Sequence, residues 1–144
     1  MSLIISVYVR EGIVMAADSR LTLTIPRTQP GGQTHTLSLT TSDSAKKLFL
    51  APNNVGIATC GAADVGGVPI AGFVESFIVE KLKGHALLAT GVAELLKDYM
   101  SALGVRQGTQ FHVAGYTPAA GGLEQTIYFV DPAAGKCERL NPVN

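Results

Sequence analysis

Tryptophan is absent from this 144-residue sequence, and cysteine occurs only twice, at Cys60 and Cys137. Two cysteines cannot build a disulfide scaffold, and neither lies in the Cys-x-x-Cys or Cys/His spacing that is typical of zinc sites. The three histidines share no common spacing either. We therefore expect reduced thiols, no bound metal and no cofactor.

An excess of one charge is also lacking, because eleven Lys and Arg residues balance eleven Asp and Glu residues. The longest basic run is the pair Lys46 and Lys47, so the sequence has no electrostatic footprint for nucleic acid or an anionic membrane. No apolar stretch reaches the roughly 18 residues of a membrane span, and no basic segment precedes an apolar one as in a signal peptide. These absences predict a cytoplasmic protein.

The sequence is rich in apolar residues: 47% of its residues are hydrophobic and 15% are charged. A chain of this length is expected to form one domain, covering residues 1–144. The apolar content predicts burial against copies of the same chain as well as inside the core. We therefore expect a homo-oligomer.

Apolar and β-branched runs around turn residues predict two β-hairpins, and alternation of apolar and hydroxyl residues predicts a third between them. Apolar residues at helical spacing then predict two helices, and three more short strands follow. The hairpins are predicted at 2–17, 21–41 and 47–59, the helices at 68–83 and 85–103 around Gly84, and the last strands at 111–116, 126–130 and 136–140. Strands and helices are grouped, which favours an α+β layered architecture over an alternating βαβ fold. The chain also lacks Gly-x-Gly-x-x-Gly, P-loop and Gly-x-Ser-x-Gly motifs.

Three side chains with useful chemistry are expected to meet at one end of the first hairpin. Ser2 begins the first strand and Asp18 ends the second, so the hairpin places them side by side. Lys47 begins the third hairpin. If Met1 is removed, Ser2 carries both a hydroxyl nucleophile and a free α-amine, whose pKa of about 8 lets it act as the base.

The neighbouring groups suit acyl transfer by that pair. The Lys47 ammonium would lower the pKa of the amine by like-charge repulsion, while Asp18 would orient the lysine and balance its charge. A backbone N–H in the turn 59–61 (Thr-Cys-Gly) could stabilise the oxyanion of an acyl-transfer intermediate. Taken singly, Ser2 reads as an ordinary polar residue, Asp18 as a turn cap and Lys47 as a solvated cation.

Five segments of the chain resemble the β-type subunits of the proteasome and the related bacterial heat-shock-locus protease. They are "SLIISVYVREGIVMAADSRLT", "KKLFL", "VGIATCGAADVGG", "FHVAGYT" and "IYFVDPAAGK", in that order. They are distributed along the chain from residue 2 to residue 136. The resemblance implies the αββα four-layer sandwich of the N-terminal nucleophile hydrolases, usually assembled into rings, with ATP-driven unfoldases as candidate partners.

The resemblance also implies roles for individual residues. Ser2 takes the place of the family's N-terminal threonine nucleophile, and Asp18 and Lys47 match its carboxylate and its lysine. Cys60 falls where the family places the glycine whose N–H forms the oxyanion hole. Thr22 and Ala62 match positions whose backbone pairs with an extended peptide substrate, and Ala58 matches one that lines the pocket for the side chain preceding the cleaved bond.

Departures from the family pattern leave a second interpretation open. Serine replaces threonine, cysteine replaces glycine, and residues 21–44 form a longer insertion, predicted to be a hairpin or arm. Family members continue beyond residue 140 through two more helices and further strands, so the fold is expected to lack those elements here. The alternative is a catalytically inactive proteasome-like scaffold or assembly subunit. Cys60 is interpreted as a small buried hydrophobe rather than a catalytic thiol.

The enzymatic interpretation predicts that the mature chain begins with Ser2. Intact-mass measurement of the purified protein tests this, because removal of the initiator lowers the mass by one methionine residue. A chain that retains Met1 has no free amine at Ser2, which contradicts the proposed chemistry and leaves the scaffold interpretation.

Overall fold

The fold is described by a computed structural model for residues 2–105 and 108–141. The strands are β1 (Ile4–Val9), β2 (Gly12–Ala17), β3 (Leu21–Thr28), β4 (Thr34–Ser42), β5 (Leu48–Ala51), β6 (Val55–Cys60), β7 (Asp64–Val65), β8 (Val68–Pro69), β9 (Gln110–Ala119), β10 (Gly122–Asp131) and β11 (Lys136–Arg139). The helices are α1 (Ile70–Phe77), which continues into a π-helical turn (Ile78–Leu82), and α2 (Ala89–Ala102). The predicted α+β class is confirmed.

A five-stranded antiparallel sheet forms the centre of the structure, in the order β11-β10-β9-β6-β5. Strands β5 and β6 join through Pro52–Asn54, where Asn53 and Asn54 adopt φ values of 59° and 56°. Asparagine tolerates this left-handed region better than most residues, so the turn suits the sequence. The pairing of β6 with β9 connects the first half of the chain to the second.

The helices cover one face of this sheet and form the main core with it. Every second residue of β6 and β9 points to the helices, including Val55, Ile57, Phe111 and Val113, all of which are buried. The buried helical side chains that meet them are Val74, Phe77, Leu82, Val92, Ala93, Leu96 and Met100. This periodicity of three and four residues is the one from which the helices are predicted.

The β1–β2 hairpin packs on the opposite face of the sheet. Met15 lies so close to Gly56 that a Cβ atom there would be 2.5 Å from the methionine sulfur. Ser6 Oγ and His112 Nδ1 are hydrogen bonded at 2.9 Å, and Gln125 Nε2 donates to the Val9 carbonyl at 2.7 Å. Burial lowers the pKa of His112, which favours its neutral ring. The hairpin is therefore fixed to the sheet by specific contacts.

The second hairpin, β3–β4, pairs with no other strand in the described residues. Its strands contact each other along their length, with a β-bulge between Leu21 and Thr22, and nearly all of β4 is exposed. The segment predicted to be a hairpin or arm therefore forms a two-stranded hairpin of its own, which we call the arm. Its base lies beside Asp18 and Lys47.

Helix boundaries differ from the prediction in two places. Residues 68 and 69 form the short strand β8 rather than the first helical turn, and α1 begins after Pro69. Gly84 separates the helices as predicted, with φ of 81°, but α2 begins at Ala89 instead of His85. The Leu87 carbonyl accepts a hydrogen bond from Asn53 Nδ2, which holds this connection against the β5–β6 turn. Neither helix has the length and apolar character needed to cross a bilayer.

Gly61, directly after β6, occupies a position that a larger residue cannot take without a change in the backbone. It has φ of 102°, and a Cβ atom at this position would lie 1.9 Å from the Gly108 carbonyl oxygen. A larger residue would therefore need both an unfavourable backbone conformation and a displaced neighbouring segment.

We predict that Gly61→Ala lowers the free energy of unfolding by about 3 kcal/mol, from the strained φ and the backbone overlap together. The matched control is Gly66→Ala, because Gly66 also has positive φ (59°) but open space around it. The control should lose about 1 kcal/mol. Urea unfolding of both variants measures the difference, and equal losses would show that the contact with Gly108 is unimportant.

Candidate active site

The structure brings Ser2, Asp18 and Lys47 together, as the hairpin argument predicts. Lys47 Nζ lies 3.3 Å from Ser2 Oγ and 2.9 Å from Asp18 Oδ2. Ser2 and Asp18 come from the β1–β2 hairpin, whereas Lys47 directly precedes β5 of the central sheet. The cluster therefore joins the two packed sheets. The predicted removal of Met1 concerns a residue outside the described part of the chain.

Lys47 is held by three oxygen atoms. In addition to Ser2 and Asp18, its ammonium donates to the Arg20 carbonyl at 2.7 Å. An ammonium group has three N–H donors, so these three acceptors use all of them. The side chain is only 8% exposed, which makes the compensating carboxylate necessary, because a buried unpaired charge is costly. The geometry fits a charged lysine that donates protons in hydrogen bonds and does not act as a base.

Asp18 is fixed by the strand that begins beside it. Its Oδ1 accepts the Leu3 N–H at 2.8 Å, its Oδ2 accepts the Arg20 N–H at 3.3 Å, and its own N–H donates to the Leu3 carbonyl. The Leu3 N–H is the main cause that lowers the pKa of Asp18, with a further contribution from Lys47, while partial burial opposes both. The carboxylate thus stays ionised at neutral pH beside the first residues of the chain.

A cavity of about 220 Å³ opens beside this cluster, and we call it the Ser2 cavity. Its lining includes Ser2, Lys47, Thr59 and Cys60. Much of the remaining wall is apolar and comes from Leu21, Ala45, Ala62, Pro69, Ile70 and Ala71. A largely apolar cavity with a few polar side chains at its edge is the usual form of a small-molecule or side-chain binding site.

The predicted substrate-binding residues divide into two groups. Ala62 lines the Ser2 cavity, as does the predicted oxyanion residue Cys60. Ala58 is fully buried in β6 and is not among the lining residues of the described chain, and Thr22 lies one residue beyond Leu21, which does line it. Sequence reasoning missed Thr59 and Ala45. The alternation of β6 contained the relevant signal for Thr59, because neighbouring strand residues face opposite sides.

The Cys60 thiol is not activated by its surroundings. Burial is the main cause that raises its pKa, and Asp18 raises it too, although the Lys47 charge acts in the opposite direction. A reactive cysteine needs a lowered pKa, because the thiolate is the nucleophile. The half-buried thiol therefore fits the predicted role of a small apolar residue in the cavity wall.

Comparison with known proteins assigns no family. No protein-family model matches the chain, and no curated protein matches it either. Within the described residues, no group of three or more His, Cys, Asp or Glu side chains could hold a metal ion. The functional argument therefore depends on the geometry of the site itself.

We predict that Asp18→Asn destabilises the protein by about 2 kcal/mol at pH 7, since it removes a charge-assisted acceptor beside buried Lys47. The folded-state pKa of Asp18 lies below its ordinary value of 3.8. Its contribution is therefore present above that value and is lost as the pH falls through the folded-state pKa. Urea unfolding at pH 7 and pH 3 should show the difference between wild type and variant shrinking at pH 3.

Asp43→Asn is the control for that experiment. Asp43 also pairs with a cation, Arg20, at 2.8 Å, but both side chains are more than 60% exposed. Exposed pairs of this kind contribute less than about 1 kcal/mol. If the two variants lost equal stability at pH 7, the buried position of Lys47 would not matter.

Proposed function

We propose that this protein is an N-terminal nucleophile hydrolase of the proteasome-like type, which cleaves peptide bonds through Ser2. One observation carries the proposal. A charged lysine, balanced by Asp18, lies 3.3 Å from Ser2 Oγ at the edge of a cavity large enough for a substrate side chain. A surface serine with a solvated lysine beside it would have neither the burial nor the cavity.

In the proposed reaction, the Ser2 hydroxyl attacks the carbonyl carbon of the scissile bond and transfers its proton to the α-amine of the same residue. The base must be that amine, because all three Lys47 donors face oxygen atoms and the lysine is positively charged. The positive charge next to Ser2 Oγ favours the developing alkoxide and lowers the proton affinity of the nearby amine. Asp18 maintains the lysine in this position.

The tetrahedral intermediate collapses when the substrate nitrogen takes the proton from the α-ammonium group and leaves as an amine. The acyl group then remains on Ser2 as an ester. Water attacks this ester with the α-amine again as base, which releases the carboxylate product and restores the Ser2 hydroxyl. No cofactor is needed for any of these steps.

Two backbone groups are proposed as donors to the oxyanion. Cys60 N–H is the first, as the family resemblance implies. However, Thr59 N–H donates to the Lys47 carbonyl at 3.0 Å, and successive N–H groups of a strand point to opposite edges. The Cys60 N–H therefore points toward β9, where Cys60 pairs with Gln110. The N–H of the next residue, Gly61, is then expected to point to the same side as Lys47, which makes it the second candidate.

The proposal includes the four-layer sandwich and an oligomer. The described residues contribute helices, the five-stranded sheet and the first hairpin. The outer face of that hairpin carries Leu3, Ile5, Val7 and Val14, which are between 46% and 62% exposed. A continuous apolar face of this kind is typical of a surface that other protein covers, which supports the expected homo-oligomer.

The same face also supports the alternative function, a proteasome-like scaffold or assembly subunit without catalysis. In that case the Asp18–Lys47 pair would only connect the hairpin to the sheet. The two functions differ in one requirement, because the scaffold needs neither a free Ser2 amine nor an accessible Ser2 hydroxyl.

We predict that the purified protein hydrolyses unfolded protein or fluorogenic peptides, and that Ser2→Ala reduces kcat/KM by at least about 1,000-fold. Lys47→Met should reduce it by about 100-fold, because the α-amine remains but the charge beside the alkoxide is lost. Ser101→Ala is the control, since Ser101 lies on α2 and donates to the Pro132 carbonyl. It should retain wild-type activity.

Mass spectrometry after treatment with an epoxyketone provides an independent reading of the same proposal. One adduct should form on Ser2 in the wild-type protein and none in Ser2→Ala. Hydrolysis that survives in Ser2→Ala, or the absence of an adduct on a chain that begins with Ser2, would reject the enzyme and favour the scaffold.

A further inference from the structure

We propose that the Ser2 cavity selects a side chain with an apolar body and an uncharged hydrogen-bonding tip, and that Thr59 Oγ1 recognises the tip. This inference rests on the proposed function, because it assigns the cavity to the residue that precedes the cleaved bond. It adds a substrate class and a specificity-determining residue to that function.

Thr59 carries an unusual hydroxyl. The residue is 1% exposed, and its Oγ1 has no hydrogen-bond partner within residues 2–105 and 108–141. Nearly all buried polar groups in folded proteins are paired, because an unpaired one loses its bonds to water without replacement. Thr59 is also one of the residues that line the Ser2 cavity. Because this oxygen has almost no accessible surface, a polar group that enters the cavity supplies the missing partner only when the Thr59 side chain turns its hydroxyl toward the cavity.

The other polar side chains around the cavity are already engaged, including that of Ser42, whose Oγ accepts the Ser44 N–H at 3.1 Å. Lys47 directs its three donors to Ser2, Asp18 and Arg20, and Lys46 pairs with Glu75 at 2.7 Å. The Cys60 thiol has a raised pKa and is neutral. A charged substrate tip would therefore find no unpaired opposite charge, whereas a hydroxyl or amide needs only a neutral partner such as Thr59.

The size and composition of the cavity define the rest of the side chain. Its walls are largely apolar, from residues such as Leu21, Ala45 and Ile70. Its volume of about 220 Å³ exceeds that of an engineered apolar cavity, about 150 Å³, that binds benzene. An aromatic ring or a short aliphatic chain therefore fits. Tyrosine is favoured over phenylalanine, and threonine over valine, since each pair differs mainly in one polar group at nearly constant shape.

The first experiment compares matched peptides that carry Tyr or Phe, and Thr or Val, before the cleaved bond. Wild-type protein should cleave the hydroxyl-bearing member of each pair with about tenfold higher kcat/KM. Thr59→Val removes the hydroxyl at nearly constant volume and should abolish or invert this preference. A preference that persists in Thr59→Val would overturn the inference.

Thr109→Val is the matched control. Thr109 is also fully buried, its Oγ1 is also without a partner among the described residues, and it does not line the Ser2 cavity. Its replacement should leave the tenfold preference unchanged. If Thr109→Val removed the preference as well, the effect would come from general disturbance of the core rather than from recognition by Thr59.

The second experiment needs no catalysis and separates this inference from the proposed function. p-Cresol and toluene reproduce the side chains of tyrosine and phenylalanine, and their binding can be followed by NMR of the methyl group of Thr59. Wild-type protein should bind p-cresol about tenfold more tightly, after correction for the difference in partition from water. Equal corrected affinities in the wild type would overturn the inference, even if no Thr59 variant folds.

The combined outcomes are distinguishable. If no peptide is cleaved but the p-cresol preference is present and Thr59→Val abolishes it, the proposed hydrolase fails while the recognition by Thr59 stands. If peptides are cleaved through Ser2 without any preference for hydroxyl-bearing side chains, the hydrolase stands and the recognition fails.

Discussion

The buried ammonium group of Lys47 is the interaction on which the rest of the structure depends. Its three acceptors are Ser2, Asp18 and the Arg20 carbonyl, whereas its own backbone leads into the central sheet. A single cation therefore connects the first hairpin, the base of the arm and the sheet. Because the charge is largely withdrawn from water, it stabilises the structure only while the carboxylate of Asp18 stays ionised.

The contacts that stabilise the fold around Lys47 also determine the geometry needed for the proposed reaction. The contacts that attach the hairpin to the sheet, including the bond between Ser6 and His112, also set the distance between Ser2 and Lys47. A site that spans two packed sheets is rigid when both sheets are rigid. Preorganisation of this kind is what electrostatic stabilisation of a developing alkoxide requires.

Much of the fold could be predicted from the sequence, because local periodicity determines it. The hairpins predicted at 2–17 and 47–59 from apolar runs around a turn are confirmed, and hairpin geometry alone was enough to place Ser2 beside Asp18. The predicted start of α2 at His85 was wrong. The His85 N–H donates to the Leu82 carbonyl, and the Leu87 carbonyl accepts a hydrogen bond from Asn53, which is distant in sequence. Propensity along the chain contains no information about such contacts.

The cavity could be predicted only in part. Ala62 and Cys60 line it as predicted, but Thr59 lines it where Ala58 was expected, and a one-residue difference in a strand reverses the face. The third contact of Lys47, the Arg20 carbonyl, carries no signal in the sequence because any residue has a carbonyl.

The register of the first hairpin has a consequence for how this protein can vary. Ile4 pairs with Ala17 and Val9 with Gly12, so a two-residue turn, Arg10 and Glu11, determines which residue stands opposite Leu3. One residue more or fewer in that turn would turn Met15 away from Gly56 and move Asp18 out of reach of both Leu3 and Lys47. The length of the turn thus fixes the position of Asp18 relative to Leu3 and Lys47. The two turn residues can be exchanged for others, but their number cannot change.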